Sequence, residues 1–214
     1  MLELLTLIHQ CAPASVSPDT LQAIIHTESA DNPLALNVNG RMRLQYQPKS
    51  RDDAIGWSMW LIKRGYSIDM GLMQINSRQL ARFNMTAADA FDACKNIRTG
   101  AAILTEHYSR ATQTHGQGRE ALLHAISAYN TGNFEGGFRN GYVARVMTNT
   151  SSTTPAAAAV DLPVNMPVDL SCLLGPGCSG SAAGRVQPLD SGVQPIKPET
   201  VDTGIGGFEI TRAP

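Results

Sequence analysis

The stretch Ser17-Pro18-Asp19-Thr20-Leu21-Gln22-Ala23-Ile24-Ile25-His26-Thr27-Glu28-Ser29 decides how the rest of the chain is read. Ser17 suits an N-cap, Pro18 the first helical position and Asp19 the positive end of a helix dipole. Leu21, Ile24 and Ile25 recur at i, i+3 and i+4 and mark one apolar face of an amphipathic helix. The next position on that face is Glu28. A carboxylate on a buried stripe is unfavourable unless it is neutral, paired or hydrogen-bonded. Burial also raises its pKa, the condition a general acid needs near neutral pH. The structural alternative is a helix-end glutamate that turns back to solvent or pairs with an arginine.

Upstream of this helix, residues 1–11 are apolar but carry Glu3, lack a basic n-region and end without a small-residue cleavage site. They do not read as a signal peptide, and His9-Gln10-Cys11 lacks the small residues that precede a lipidated cysteine. The 214 residues carry 17 basic and 18 acidic side chains, so nothing global points to nucleic acid or an anionic membrane. No run approaches 18 apolar residues, so no membrane span is expected. Cys11, Cys94, Cys172 and Cys178 form no Cys-x-x-Cys pair and the five histidines no His-x-x-x-His pair, so no metal site and no cofactor are expected. Two disulfides or four reduced thiols both fit that count.

Downstream, Pro33 ends the first helix. Asn39-Gly40 between 34–38 and 41–45 predicts a small β-hairpin. A helix is expected over 50–64, with Ser50 and Asp53 as a capping box, Ala54, Trp57 and Leu61 on its apolar face and Gly65 at its end. Trp57 reads as core and Trp60 as partly exposed packing rather than as sugar platforms. Residues 66–76 show neither helical nor strand periodicity, although Gln74 and Asn76 carry amides that suit hydroxyl and acetamido groups. Short helices follow over 77–83 and 86–91, longer ones over 95–109 and 120–130, and a last turn over 142–147. From 148 to 214 lie eight of the twelve prolines and a single aromatic, Phe208. Such a segment buries too little apolar surface to offset its ordering entropy, so 148–214 reads as a largely disordered tail behind a domain over 1–147. Its one apolar cluster, 205–210, is a candidate docking patch.

Three segments line up in order: Glu28-Ser29 with Asn32-Pro33, then Gly71-Leu72-Met73-Gln74-Ile75-Asn76, then Ala128-Tyr129-Asn130 with Gly132 and Phe134. Together they resemble the lytic transglycosylases of the SLT family, with a goose-type lysozyme-like fold. Cys11-Ala12-Pro13, the hairpin between the first two motifs and Cys94-Lys95-Asn96-Ile97 resemble the branch that serves type IV secretion systems. The resemblance implies a mainly α lysozyme-like domain acting on peptidoglycan glycan strands, in the periplasm. The resemblance covers residues 11–147 and leaves the tail outside it; the tail's composition is what suggests an arm that contacts other secretion components. It implies Glu28 as the catalytic acid, Met73 and Gln74 lining the glycan groove, Tyr129 bonding the acid and Asn130 beside it. Ser29, Asn37 and Asn76 join the substrate-binding set, with Asn37 standing where commoner members often carry a serine. Cys11 and Cys94 are then expected to form a disulfide, and Cys172 and Cys178 a second one within the tail.

The implied chemistry needs one carboxylate where ordinary glycosidases need two. Glu28 would protonate the glycosidic oxygen between N-acetylmuramic acid and N-acetylglucosamine, then deprotonate the muramic C6 hydroxyl as it closes a 1,6-anhydro ring. Asp31 and Asp69, both read as turn residues, are the candidates for a second carboxylate. One rival is a hydrolytic muramidase in which Asp69 positions water. Another is a non-catalytic peptidoglycan-binding scaffold.

Overall fold

The computed structural model describes residues 2–40, 42–151 and 210–212. The central helix, α2 (Pro18–Ser29), starts at its proline as expected, with α1 (Leu2–Cys11) before it. Ser17 occupies the N-cap and its carbonyl accepts from the Leu21 N–H at 3.1 Å, but its hydroxyl makes no capping bond. Leu21, Ile24 and Ile25 have no exposed surface at all, which confirms the apolar face. The helix stops where Ala30 and Asp31 turn left-handed, at φ 50° and 66°. The Ala30 N–H closes that end on the His26 carbonyl at 3.0 Å.

α1 is helical where the sequence reading assigned no element. It buries Ile8 and Cys11 in the core, and Cys11 is disulfide-bonded to Cys94 with their Cα atoms 5.0 Å apart. Arg98 adds a bond from its Nε to the Cys11 carbonyl at 3.1 Å. These ties fasten the segment before α2 to α5 (Ala93–His115), the longest helix among the described residues.

The expected hairpin is replaced by another pairing. β1 (Leu36–Val38) pairs antiparallel with β3 (Ile68–Met70), and β3 pairs with β4 (Ile75–Asn76). β2 (Met42–Leu44) pairs instead with β5 (Ile210–Arg212) near the C-terminus. The reason lies in where the donors of β1 go. The Gln47 carboxamide takes both the N–H and the carbonyl of Leu36, at 2.9 and 3.0 Å, and so stands in for a neighbouring strand. Beyond β1, the Asn39 N–H bonds the Ser67 carbonyl at 2.8 Å and carries the chain along β3. In the resulting sheet Leu36, Met70 and Ile75 stand in one cross-strand row and are buried. Asn37, Asp69 and Asn76 form the neighbouring row on the opposite face.

α3 (Arg51–Lys63) is capped by Ser50, whose Oγ accepts from the Asp53 N–H at 3.1 Å. Trp57 lies in the core, while Trp60 is half-buried with the Arg64 guanidinium 3.7 Å above its ring. A 3₁₀ helix (Ser77–Phe83) and α4 (Ala87–Ala90) lead into α5. α6 (Arg119–Thr131) packs along α5, and α7 (Gly136–Arg139) turns the chain into α8 (Tyr142–Ser151), which lies against α2. α8 is a full helix rather than a last turn and runs beyond residue 147. The expected tail disorder and the Cys172–Cys178 loop fall on residues outside those described. Of the apolar patch 205–210 only Ile210 is described, paired with Leu44. No helix among the described residues is long and apolar enough to cross a membrane.

Candidate active site

Glu28 lies in the last turn of α2, on the stripe continued from Leu21 and Ile25. α8 brings Tyr142 against it, and the Tyr142 hydroxyl donates to Glu28 Oε1 at 2.5 Å. Tyr142 is itself buried, at 2 % exposure. Burial raises the Glu28 pKa from the usual 4.5 to about 7, offset in part by the Tyr142 bond. The charge of Asp69 adds to the rise and that of Arg145 opposes it. Burial likewise pushes the Tyr142 hydroxyl far up, with the Glu28 charge second, so it remains a donor.

Asp69 belongs to β3 and not to a turn, and burial raises its carboxyl pKa as well. Its Oδ1 accepts from Asn76 Nδ2 at 2.7 Å, and Asn76 also donates to Ser67 Oγ at 3.0 Å. Of the polar row Asn37–Asp69–Asn76, Asp69 is the member whose charge acts on Glu28. The turn between β3 and β4 is Gly71-Leu72-Met73-Gln74. Gly71 has φ 75°, and a Cβ there would lie 2.4 Å from both the Ala90 carbonyl oxygen and Asn96 Nδ2. Only glycine fits both demands. Buried Asn96 clamps the turn: its Oδ1 accepts from Met73 N–H at 2.7 Å, and its Nδ2 donates to the Met70 and Ala90 carbonyls at 2.9 and 2.7 Å.

Glu28 is half-buried by exposure, and its carboxyl accepts the Tyr142 hydroxyl. The family model described as "Transglycosylase SLT domain" matches residues 8–150. The chain belongs to the SLT transglycosylase family. It is an enzyme of the peptidoglycan lytic transglycosylase class. A protein of Brucella suis biovar 1 (strain 1330) called "Type IV secretion system protein virB1" is 40% identical over 168 residues, 76% of this chain and 70% of the relative. The protein of that name from Brucella abortus biovar 1 (strain 9-941) is 38% identical over 195 residues, 81% of each chain. "Protein virB1" of Rhizobium radiobacter is 40% identical over 149 residues, 69% of this chain and 60% of the relative. No solved structure matches the chain.

Within this SLT domain two expected contacts are corrected. Tyr129 does not bond Glu28; its hydroxyl donates to the Met73 carbonyl at 2.7 Å, and Tyr142 takes the place beside the acid. The reason is the packing of α8 on α2, whereas α6 faces the β3–β4 turn. Met73 does not line a groove, since its side chain is wholly buried against Gly100, where a Cβ would lie 2.4 Å from its sulfur. Tyr129 and Met73 together hold the loop whose next residue, Gln74, turns left-handed at φ 49°. Gln74 Nε2 bonds the Ala35 and Gly71 carbonyls at 3.2 and 2.9 Å, and its Oε1 accepts from Asn37 Nδ2 at 2.6 Å.

Ser29 follows the acid, but its hydroxyl bonds back to the Ile25 carbonyl at 3.0 Å. Asn130, exposed at the end of α6, accepts from Asn140 Nδ2 at 2.9 Å. Asn37, Gln74, Asn76 and Asp69 therefore form one connected surface, with Ser29 and Asn130 on separate elements. Asp31 lies apart from Asp69, within 3.0 Å of the His26 ring.

The residues missed from the sequence are Tyr142 and Asn96. Tyr142 follows Gly141 and starts an amphipathic turn, so only its position at a helix start was visible. Asn96 sits within the quoted Cys94-Lys95-Asn96-Ile97 segment, where a buried asparagine at a helix start signals a backbone clamp rather than a cap. His115, Glu120 and His124, which the sequence reading did not single out, each bring one donor atom to within 4.8 Å of one another.

Proposed function

We propose that the protein cleaves the β-1,4 bond between N-acetylmuramic acid and N-acetylglucosamine and leaves a 1,6-anhydro-muramic end. The observation that supports this most is Glu28 itself, a carboxyl whose pKa stands at about 7 with one tyrosine hydroxyl on it. Near pH 7 such a group is protonated often enough to donate to the leaving oxygen. Its carboxylate is then basic enough to take the proton of the muramic C6 hydroxyl. The C6 oxygen attacks C1 as the glycosidic bond breaks, so no water is consumed. Tyr142 positions the carboxyl, Asn37, held by the left-handed Gln74, offers its amide to the sugar's hydroxyl and acetamido groups, and Asn76 acts by holding the Asp69 carboxyl. Ser29, Tyr129 and Asn130 complete the proposed binding set, Tyr129 through the loop it holds.

A second reading has one specific observation behind it. Asp69 is a second carboxyl, held by Asn76 and acting on the charge of Glu28, and a water activated there would give hydrolysis. Digestion of purified sacculi followed by mass analysis separates the two. Anhydro-muropeptides, lighter by one water, support the transglycosylase reaction, and reducing-end muropeptides support hydrolysis. Sacculi that are bound but left whole would mean a scaffold.

The names of the Brucella relatives motivate the setting. We propose that the cut opens the wall locally, in the periplasm, for assembly of a type IV secretion system. The chain beyond α8 would contact other components, with the Ile210–Arg212 strand as an anchor on the enzyme domain. Deleting residues 152–214 should leave muropeptide release intact and impair secretion in cells. Loss of cleavage on that deletion would assign the tail to the enzyme unit.

A further inference from the structure

The junction of α5 and α6 gathers side chains that the wall chemistry does not use. His115 ends α5, and the link Gly116-Gln117-Gly118 reverses the chain with both glycines at positive φ, 68° and 122°. The Tyr108 hydroxyl accepts from the Gly118 N–H at 3.1 Å and fixes that reversal against α5. Glu120 and His124 are four apart on α6 and so share a face, the one turned toward His115. The two imidazoles stack with centroids 3.7 Å apart. Phe134 and Phe138 meet the His124 ring edgewise, at 6.2 and 5.1 Å. The side chains of His115 and His124 are 20% and 12% exposed, and Glu120 is 73% exposed. None of these groups is among those acting on Glu28.

We infer that His115, Glu120 and His124 form a binding site for a zinc-class divalent cation. One donor atom from each lies within 4.8 Å of the other two. Tetrahedral zinc, with bonds of about 2.0–2.2 Å to nitrogen and oxygen, needs donors about 3.3 Å apart. The stacked rings point their in-plane lone pairs in parallel, so ion binding requires His115 to turn out of the stack and the exposed Glu120 to rotate inward. The second shell is already present: His124 Nδ1 lies 3.0 Å from the Phe134 carbonyl, which can only accept. That bond places the proton on Nδ1 and leaves the Nε2 lone pair for a metal. Glu135, with an oxygen 3.6 Å from the same Nδ1, is a further carboxylate beside it. Two imidazoles and a carboxylate with one position left for water select zinc, nickel or cobalt over magnesium or calcium, which prefer all-oxygen cages. The ion ties the end of α5 to the start of α6, the helix that carries Tyr129 and Asn130.

The test uses the purified full chain freed of metal with a chelator. Zn²⁺ is titrated in competition with a chromophoric chelator, and Co²⁺ is added separately while its visible absorption is recorded. The expected result is a single Zn²⁺ equivalent whose affinity drops about tenfold or more in His115→Gln, His124→Gln and Glu120→Gln. Co²⁺ should give the intense bands of a four-coordinate ion, and millimolar Mg²⁺ should not displace Zn²⁺. Glu120→Gln changes an exposed side chain, so its reading stands even if a histidine variant folds poorly. Absence of a Zn²⁺ equivalent overturns the inference, as does affinity unchanged in Glu120→Gln and in whichever histidine variants fold. In either case the stacked histidines are a packing cluster only.

Discussion

Two polar side chains reach across the core to segments far along the chain, Glu28 from α2 and Asn96 from α5. Glu28 meets the hydroxyl of Tyr142, 114 residues away, and is left with a pKa of about 7. Asn96 meets Met70, Met73 and Ala90 with three bonds, and its carboxamide oxygen and nitrogen are both used. One site keeps a titratable group short of partners, and the other satisfies a neutral group. Burying a carboxyl with one donor costs folding free energy, whereas a satisfied amide stabilises the turn it holds. Reactivity and stability are thus placed on different helices, α2 and α5.

The sharpest way to break this contrast is Glu28→Gln. Cleavage of sacculi should fall by about 10²–10⁴-fold, because the amide keeps the shape and has no proton to transfer. Residual activity within tenfold of the parent would remove Glu28 from the mechanism. Next comes the tie behind the Asn96 side of the fold. Replacing Cys11 and Cys94 by serine opens a link with a sequence separation of 83, for which the chain-entropy model gives about 4.5 kcal/mol. Denaturant melts of the oxidised parent and the double variant read this directly.

Asn96→Ala should cost about 3 kcal/mol, since it strands three buried backbone groups at roughly 1 kcal/mol each. A loss under 1 kcal/mol in the same melts would mean water replaces the amide, and the contrast with Glu28 would lose its stabilising half.

The pH dependence of stability tests the other half. Folded Glu28 holds its proton up to about pH 7, whereas the unfolded chain releases it near 4.5. Between those values the folded state binds more protons, so stability falls as pH rises through that window, by about 3 kcal/mol in all. Glu28→Gln should remove this decline and be the more stable protein at pH 8. Equal slopes for the two proteins in urea melts from pH 5 to pH 8 would contradict the buried acid.

The smallest effect belongs to Tyr142→Phe. Its hydroxyl bond lowers the Glu28 pKa, so its loss should raise that pKa and move the alkaline limb of the cleavage profile upward. Tyr129→Phe should leave the profile in place and lower stability, since its hydroxyl holds a backbone carbonyl. A shift in Tyr129→Phe in place of Tyr142→Phe would reverse the roles of the two tyrosines.

Read without the fold, the chain already determines α2, its buried face and the carboxylate on it, because helical periodicity and a proline start are properties of neighbouring residues. The Ser50 cap and the core position of Trp57 are determined in the same way. The Gly71-to-Asn76 block was legible as a motif but not as two strands, because a strand of two or three residues is too short to show a period. What required the tertiary structure were choices among equivalent local signals. Asn39-Gly40 is a strong turn, yet Gln47 satisfies the edge of β1 and β2 pairs with Ile210–Arg212. Tyr129 and Tyr142 both lie on amphipathic helices, and only the packing of α8 against α2 decided which hydroxyl reaches Glu28. His115 and His124 lack a ligand spacing in one dimension, and two left-handed glycines bring them together in three. Spacing along a chain fixes contacts within a helix, while contacts between helices depend on how whole faces pack.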